Sequence, residues 1–129
     1  MPSQYGDTCL SPGYFVMGPY MKQPTLSDIG NSTWTLLHTA VAAYNPRTVG
    51  EREHMRQFIT SLSYVFPCKH CGNDDQLDMI AYPLTDADLR SAETLRLWMH
   101  NKHNRDNRKL NKPQFPIEHV GRRWGGFTD

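Results

Sequence analysis

The chain has only three cysteines, no long apolar run and no surplus of charge of either sign, and each shortage removes a class of protein. Three cysteines in 129 residues are too few for a secreted disulfide scaffold. The odd number leaves Cys9 without an intrachain partner once Cys68 and Cys71 pair. No apolar stretch approaches the roughly 20 residues that a membrane span requires. Fourteen basic residues against thirteen acidic ones give a net charge of +1, which offers no electrostatic case for nucleic acid as a partner. The first residues show neither the apolar core of a signal peptide nor the Arg-rich pattern of a transit peptide, so delivery into an organelle is expected to use another route. Alternating β runs are missing too. What remains, 38% hydrophobic and 11% aromatic residues, suits one domain with a modest core.

Residues 1–27 contain Pro2, Gly6, Pro12, Gly13, Gly18, Pro19 and Pro24 without helical or strand period, and read as an irregular arm. Its Tyr5, Tyr14, Phe15 and Tyr20 suit packing on the domain or on a partner. From Ser27 or Asp28 to about Tyr44, Ile29, Thr33, Leu36, Leu37, Ala40 and Val41 follow helical spacing, and Asn45-Pro46 ends that helix. Thr48-Val49-Gly50-Glu51 reads as a capping box opening a second helix that must stop before Pro67. A third helix is expected from the Cys68/Cys71 pair to about Met79. A fourth should start at the capping box Thr85-Asp86-Ala87-Asp88 and reach about Leu110, and a short fifth should span Ile117 to Trp124. Four main helices with short connections imply an all-α four-helix bundle with a short fifth helix.

The chemistry concentrates at Phe66-Pro67-Cys68-Lys69-His70-Cys71. Proline stops the preceding helix, so both thiols are expected in the first turn of the next one. Free N–H groups and the helix dipole there favour a thiolate, lowering a cysteine pKa from about 8.5 toward 7 or below. A dithiol/disulfide redox pair needs that arrangement; two cysteines close only for packing, or a zinc half-site, are the rival readings. Zinc would recruit His100 and His103, but the separation of the two pairs is far longer than in a finger. An oxidase would need a cofactor, because thiols do not pass electrons to oxygen unaided. Trp34 and His38 stack at i and i+4 on the first helix, and His100, His103, Asn104 and Asn107 form an imidazole- and amide-rich run on the fourth. Each also has an ordinary explanation, Trp34 and Trp98 as core and His38 as a hydrogen-bonded core histidine.

In order along the chain, Gly30 to Ala40 around Trp34 and His38, Phe66-Pro67-Cys68-Lys69-His70-Cys71, His103-Asn104-Arg105-Asp106-Asn107 through Phe115, and Arg123-Trp124 closely resemble flavin-dependent sulfhydryl oxidases of the Erv/ALR type. The resemblance covers about residues 28–127. It implies FAD at the mouth of the bundle, in a domain spanning 28–129, and a homodimer formed through the first two helices. It also implies Cys71 as the cysteine nearest the flavin and Cys68 as the outer one, which exchanges with a dithiol protein substrate. Cofactor-binding residues implied by the match are Gly30, Thr33, Trp34, His38, Tyr44, Cys71, His103, Asn104, Asn107, Leu110, Lys112, Phe115 and Trp124. Electrons would leave to oxygen or to a cytochrome c-like acceptor, and family habit points to the mitochondrial intermembrane space.

This chain departs from the family pattern at several positions. Asn31 stands where the family commonly has Arg, Gly72 for alanine, Asp75 for an apolar residue, Gln76 for arginine, and Asp106 inside the His-Asn-x-Val-Asn run where valine is expected. The family's structural disulfide maps onto His100 and Ile117, so both of its cysteines are replaced together. These departures and the aromatic arm motivate a second expectation, a non-catalytic relative serving as a structural or interaction subunit of a larger assembly, with or without FAD.

Overall fold

The computed structural model describes residues 23–119. Within them the elements are α1 (Leu26–Ala42), α2 (Val49–Val65), α3 (Lys69–Ala81), a 3-10 turn at Asp88–Arg90, α4 (Ala92–Lys109) and a second 3-10 turn at Ile117–His119. No strand occurs among the described residues, so the all-α expectation holds.

Side-chain caps and prolines set the boundaries. Thr25 opens α1 in a reciprocal capping box: its Oγ1 accepts from the Asp28 N–H at 3.0 Å while its own N–H donates to Asp28 Oδ2 at 2.9 Å. α2 starts at Thr48, whose Oγ1 accepts from the Glu51 N–H, but the Glu51 carboxylate turns back to the Arg47 N–H instead of closing the box. Pro67 holds Phe66 extended (φ −64°, ψ 136°), which stops α2 at Val65.

The fourth helix starts later than its first capping signal. Thr85 and Asp88 do form reciprocal hydrogen bonds, yet they close only the 3-10 turn at Asp88–Arg90. Ser91 is extended and caps α4 afresh through a second box with Thr94. At its other end α4 finishes in a Schellman turn. Asn111 takes φ 57°, the Lys112 N–H reaches the Asn107 carbonyl at 2.8 Å and the Asn111 N–H reaches that of Arg108.

The core joins Leu37, Val41 and Tyr44 of the first segment, Ile59 of α2, Leu84 and Leu89 of the link, and Leu95, Trp98 and Met99 of α4. Leu89, Leu95 and Met99 are fully enclosed; truncating any of them to alanine typically costs about 2–5 kcal/mol. Arg56 of α2 ties down the link by donating to the Leu84 carbonyl and pairing with Asp86. The closest helix approaches are α1 with α4 and α2 with α3. Only Gly72 of α3 is fully buried, so this helix lies against the core and contributes little to it. Of the arm expected over residues 1–27, residues 1–22 lie outside the described residues and Leu26 and Ser27 belong to α1; the expected fifth helix is described only as the turn Ile117–His119.

Candidate functional site

Cys68 and Cys71 form a disulfide at the start of α3, with Cα atoms 5.3 Å apart. Cys68 is the N-cap and Cys71 the third helical residue, so one thiol lies in the first turn and the other just outside it. The Cys71 N–H points at Cys68 Sγ (3.2 Å), and the Gly72 N–H bonds to the Cys68 carbonyl. Cys71 is exposed and Cys68 half-buried, flanked by the exposed Lys69 and by His70, which lies 3.3 Å from Asp74. A thiolate released at Cys71 would meet the free N–H groups and positive dipole end of α3.

The second constellation lies in the seam between α1 and α4. The Trp34 indole stacks on the His103 imidazole with centroids 3.8 Å apart and planes within 5°. His38 Nε2 lies 2.8 Å from His103 Nδ1, one ring donating to the other. Burial lowers the His103 pKa to about 4, with the charges of His100 and Lys112 acting the same way, so the ring is neutral at physiological pH. Farther along α4, the Asn104 amide nitrogen donates to the Phe115 carbonyl at 3.0 Å and to His100 Nε2 at 3.2 Å. Its oxygen accepts from the Phe115 N–H at 2.9 Å and from Asn107 Nδ2 at 3.1 Å. Asn104 thus pins the segment after the Schellman turn back onto the helix.

Other expected site residues are placed as follows. Gly30 and Thr33 lie in the turn of α1 before Trp34; the space beside Gly30 is open, and Thr33 bonds to the Ile29 carbonyl. Leu110 and Lys112 are exposed on either side of Asn111. Tyr44 is not brought to the indole–imidazole seam. It sits in the core and donates through its hydroxyl to the Leu89 carbonyl at 2.6 Å. Trp124 lies outside the described residues. Histidines 100 and 103 do not assemble with the cysteines: no group of three metal-ligating side chains is found among the described residues.

One cluster escaped sequence reasoning. Lys102, almost wholly buried, pairs with Asp75 and, at 3.0 Å, with Asp78. Arg105 grips both Asp78 oxygens at 2.8 and 3.0 Å and lies 3.9 Å from the centre of the Tyr82 ring. Burial would raise the Asp78 pKa, but hydrogen bonds from Arg105 and Lys102 and their charges outweigh it and hold the carboxyl below its usual value. The matching i, i+3 spacings, 75/78 on α3 and 102/105 on α4, were the available signal. Asp106 is the unpaired member of the neighbourhood. Burial raises its pKa, as do Asp75 and Asp78, against the pull of Lys109 and Lys102, and its carboxylate makes no hydrogen bond or ion pair among the described residues.

A helical bundle that opens one helix on a Cys-x-x-Cys disulfide and lines another with neutral imidazole and amide groups defines a class, the all-α proteins built around a surface thiol pair. The chain belongs to the Erv1/Alr family, whose model matches residues 31–125. It is 34% identical over 103 residues to the mitochondrial FAD-linked sulfhydryl oxidase ERV1 of Saccharomyces cerevisiae, covering 78% of this chain and 52% of that protein. With the FAD-linked sulfhydryl oxidase ERV1 of Arabidopsis thaliana it shares 35% over 109 residues, covering 84% and 53% respectively. The crystal structure of the yeast Erv1 core superposes with a TM-score of 0.75 at 32% identity, covering 84% of this chain and 91% of that one. The chain therefore spans about half the length of the curated relatives it matches.

Proposed function

We propose that this chain is an FAD-linked sulfhydryl oxidase that converts protein dithiols to disulfides and passes the electrons to oxygen or a cytochrome c-like acceptor. The Cys68–Cys71 disulfide at the N-terminus of α3 carries the proposal, in a chain whose relatives are named for this activity. The seam residues fit the cofactor. Trp34 and neutral His103 offer flat π faces, and the side-chain oxygen Oδ1 of the buried Asn107 finds no hydrogen-bond donor among the described residues, leaving it for a ligand N–H or hydroxyl. Trp34, His38, His103 and Asn107 would hold the group, while Lys112 supplies a cation at the end of α4. When bound, FAD supplies a two-electron acceptor for the reduced cysteine pair.

The chain's own chemistry is thiol–disulfide exchange. A substrate thiolate attacks Cys68 Sγ, the Cys68–Cys71 bond breaks, and Cys71 leaves as a thiolate at the helix start. The second substrate thiol, losing its proton, attacks the substrate sulfur of the mixed disulfide and releases Cys68. The substrate has lost two electrons and two protons, and the cysteine pair holds the electrons.

Exposed apolar side chains on the first two helices, Leu36 of α1 and Val49 of α2 among them, support a homodimer through those helices. The yeast relative's name supports a mitochondrial location, with the intermembrane space as the oxidising compartment that suits the chemistry. The purified protein is expected to be yellow, with flavin absorbance near ~450 nm that bleaches under dithiothreitol and returns in air. Cys71→Ser should abolish the bleaching. A variant that oxidises dithiols at the parental rate overturns the assignment, and a flavin that dithiol cannot bleach supports the structural-subunit reading instead.

A further inference from the structure

The helix that carries the cysteines is held on two sides by different means. Toward α2, Gly72 approaches so closely that a Cβ there would collide with the Ser63 carbonyl oxygen, which Gln76 also reaches at 3.4 Å. Toward α4 the attachment is ionic: Asp75 and Asp78 meet Lys102 and Arg105. Of the larger apolar side chains of α3 only Met79 packs against the core, whereas Leu77 is 65% and Ile80 76% exposed.

Two carboxylates at i, i+3 on one helix matched to two cations at i, i+3 on another specify rotation and register together. Sliding α3 by a residue would unpair the set. The Lys102 side chain is only 8% exposed, so its ammonium is stripped of most of its water and depends on both carboxylates; removing one partner leaves an uncompensated buried charge. Asp75 follows Cys71 by one helical turn on the same face, and Lys102 immediately precedes His103. The ion pairs thus connect the turn bearing the thiol to the residue beside the indole–imidazole seam.

We infer that Lys102 is a positioning residue for the Cys68–Cys71 pair: through Asp75 it sets where the thiol-bearing turn of α3 stands against the cofactor-facing side of α4. Its consequence for electron transfer rests on the oxidase reading; its consequence for Cys71 itself does not. A displacement of about 1 Å between reacting groups can cost 10²-fold in rate, so a clamp of this kind governs turnover without touching the reacting atoms.

The test compares full-length Lys102→Met, Asp75→Leu, the double variant and Lys102→Arg. Each is assayed for dithiothreitol-driven bleaching per bound flavin, for alkylation of reduced Cys71 by iodoacetamide followed by mass spectrometry, and for helix content at the assay temperature. Lys102→Met is expected to slow bleaching about tenfold or more and to change the Cys71 alkylation rate, while flavin content and helix content stay near the parent's. The double variant should be no slower than Lys102→Met alone, since one interaction is lost only once, and Lys102→Arg should recover most of the rate. Parental bleaching in Lys102→Met, losses that multiply in the double variant, or a rate that merely tracks the folded fraction would each overturn the proposal. Should the protein bind no flavin, the alkylation rates still decide the positioning claim, whereas Cys71→Ser decides the oxidase reading.

Discussion

The α1–α4 seam and α3 hold comparable numbers of polar groups, but they organise them oppositely. In the seam imidazole and amide groups are bonded to one another: His38 to His103, and Asn104 to His100, Asn107 and both backbone groups of Phe115. On α3 they are charged, meet ions of another helix, and sit beside exposed leucine and isoleucine. Neutral networks in a low-dielectric interior are rigid and insensitive to salt, whereas ion pairs fix geometry while leaving it open to disturbance by charge. A seat for a cofactor benefits from the first property. A thiol pair on an element attached at the surface stays accessible from solvent.

Breaking the seam should have the largest effect. Asn104→Leu removes four hydrogen bonds, two of them to the Phe115 backbone, so it is expected to cost about 3 kcal/mol in urea unfolding and to lower flavin content. Retention of both would show that the C-terminal segment is held by something other than this amide. Next comes the tight contact of α3. Gly72→Ala forces a Cβ against the Ser63 backbone, and a loss of about 1–3 kcal/mol is expected, with faster alkylation of Cys71 as α3 shifts; unchanged stability would mean that α2 and α3 can separate freely.

The smallest effect should come from the one carboxylate that belongs to neither arrangement. Asp106 has a raised pKa in the folded chain, so the unfolded chain gives up this proton first as pH rises past the ordinary value of 3.8, and the fold is penalised from there upward. Asp106→Asn should therefore raise stability at pH 7 by about 1 kcal/mol, and the gain should vanish below pH 3.8, where the carboxyl is protonated in both states. Asp78 behaves oppositely: its pKa is lowered, so its contribution is present above 3.8 and is lost as the pH falls through the folded value. An Asp106→Asn gain that persisted in acid would point to packing instead of charge.

Local signals in the sequence were reliable wherever one residue decides the outcome. Pro67 and Pro83 follow helix ends and Thr48 and Cys68 begin helices as expected, whereas α1 is capped by Thr25 rather than by Ser27 or Asp28 and ends at Ala42, ahead of Pro46. The Thr85–Asp88 box shows the limit of such signals, since the same pair of hydrogen bonds closes a 3-10 turn as readily as it opens an α-helix; the extended Ser91, between that turn and α4, is the residue that starts the helix. Tyr44, a cofactor residue by resemblance, donates through its hydroxyl to the Leu89 carbonyl from within the core, a contact that helical spacing does not reveal. The Asp75–Lys102 pairing was hidden because both residues look like ordinary solvated charges until two helices cross.

The Asn104–Phe115 tether has a last consequence. Where the resemblance maps a structural disulfide onto His100 and Ile117, this chain secures the same stretch by a two-way amide clasp. With Cys68 and Cys71 paired, the single remaining cysteine cannot form a second bridge within the chain. This stretch of the scaffold is thereby held by hydrogen bonds, which neither a reductant nor a wandering thiolate can exchange.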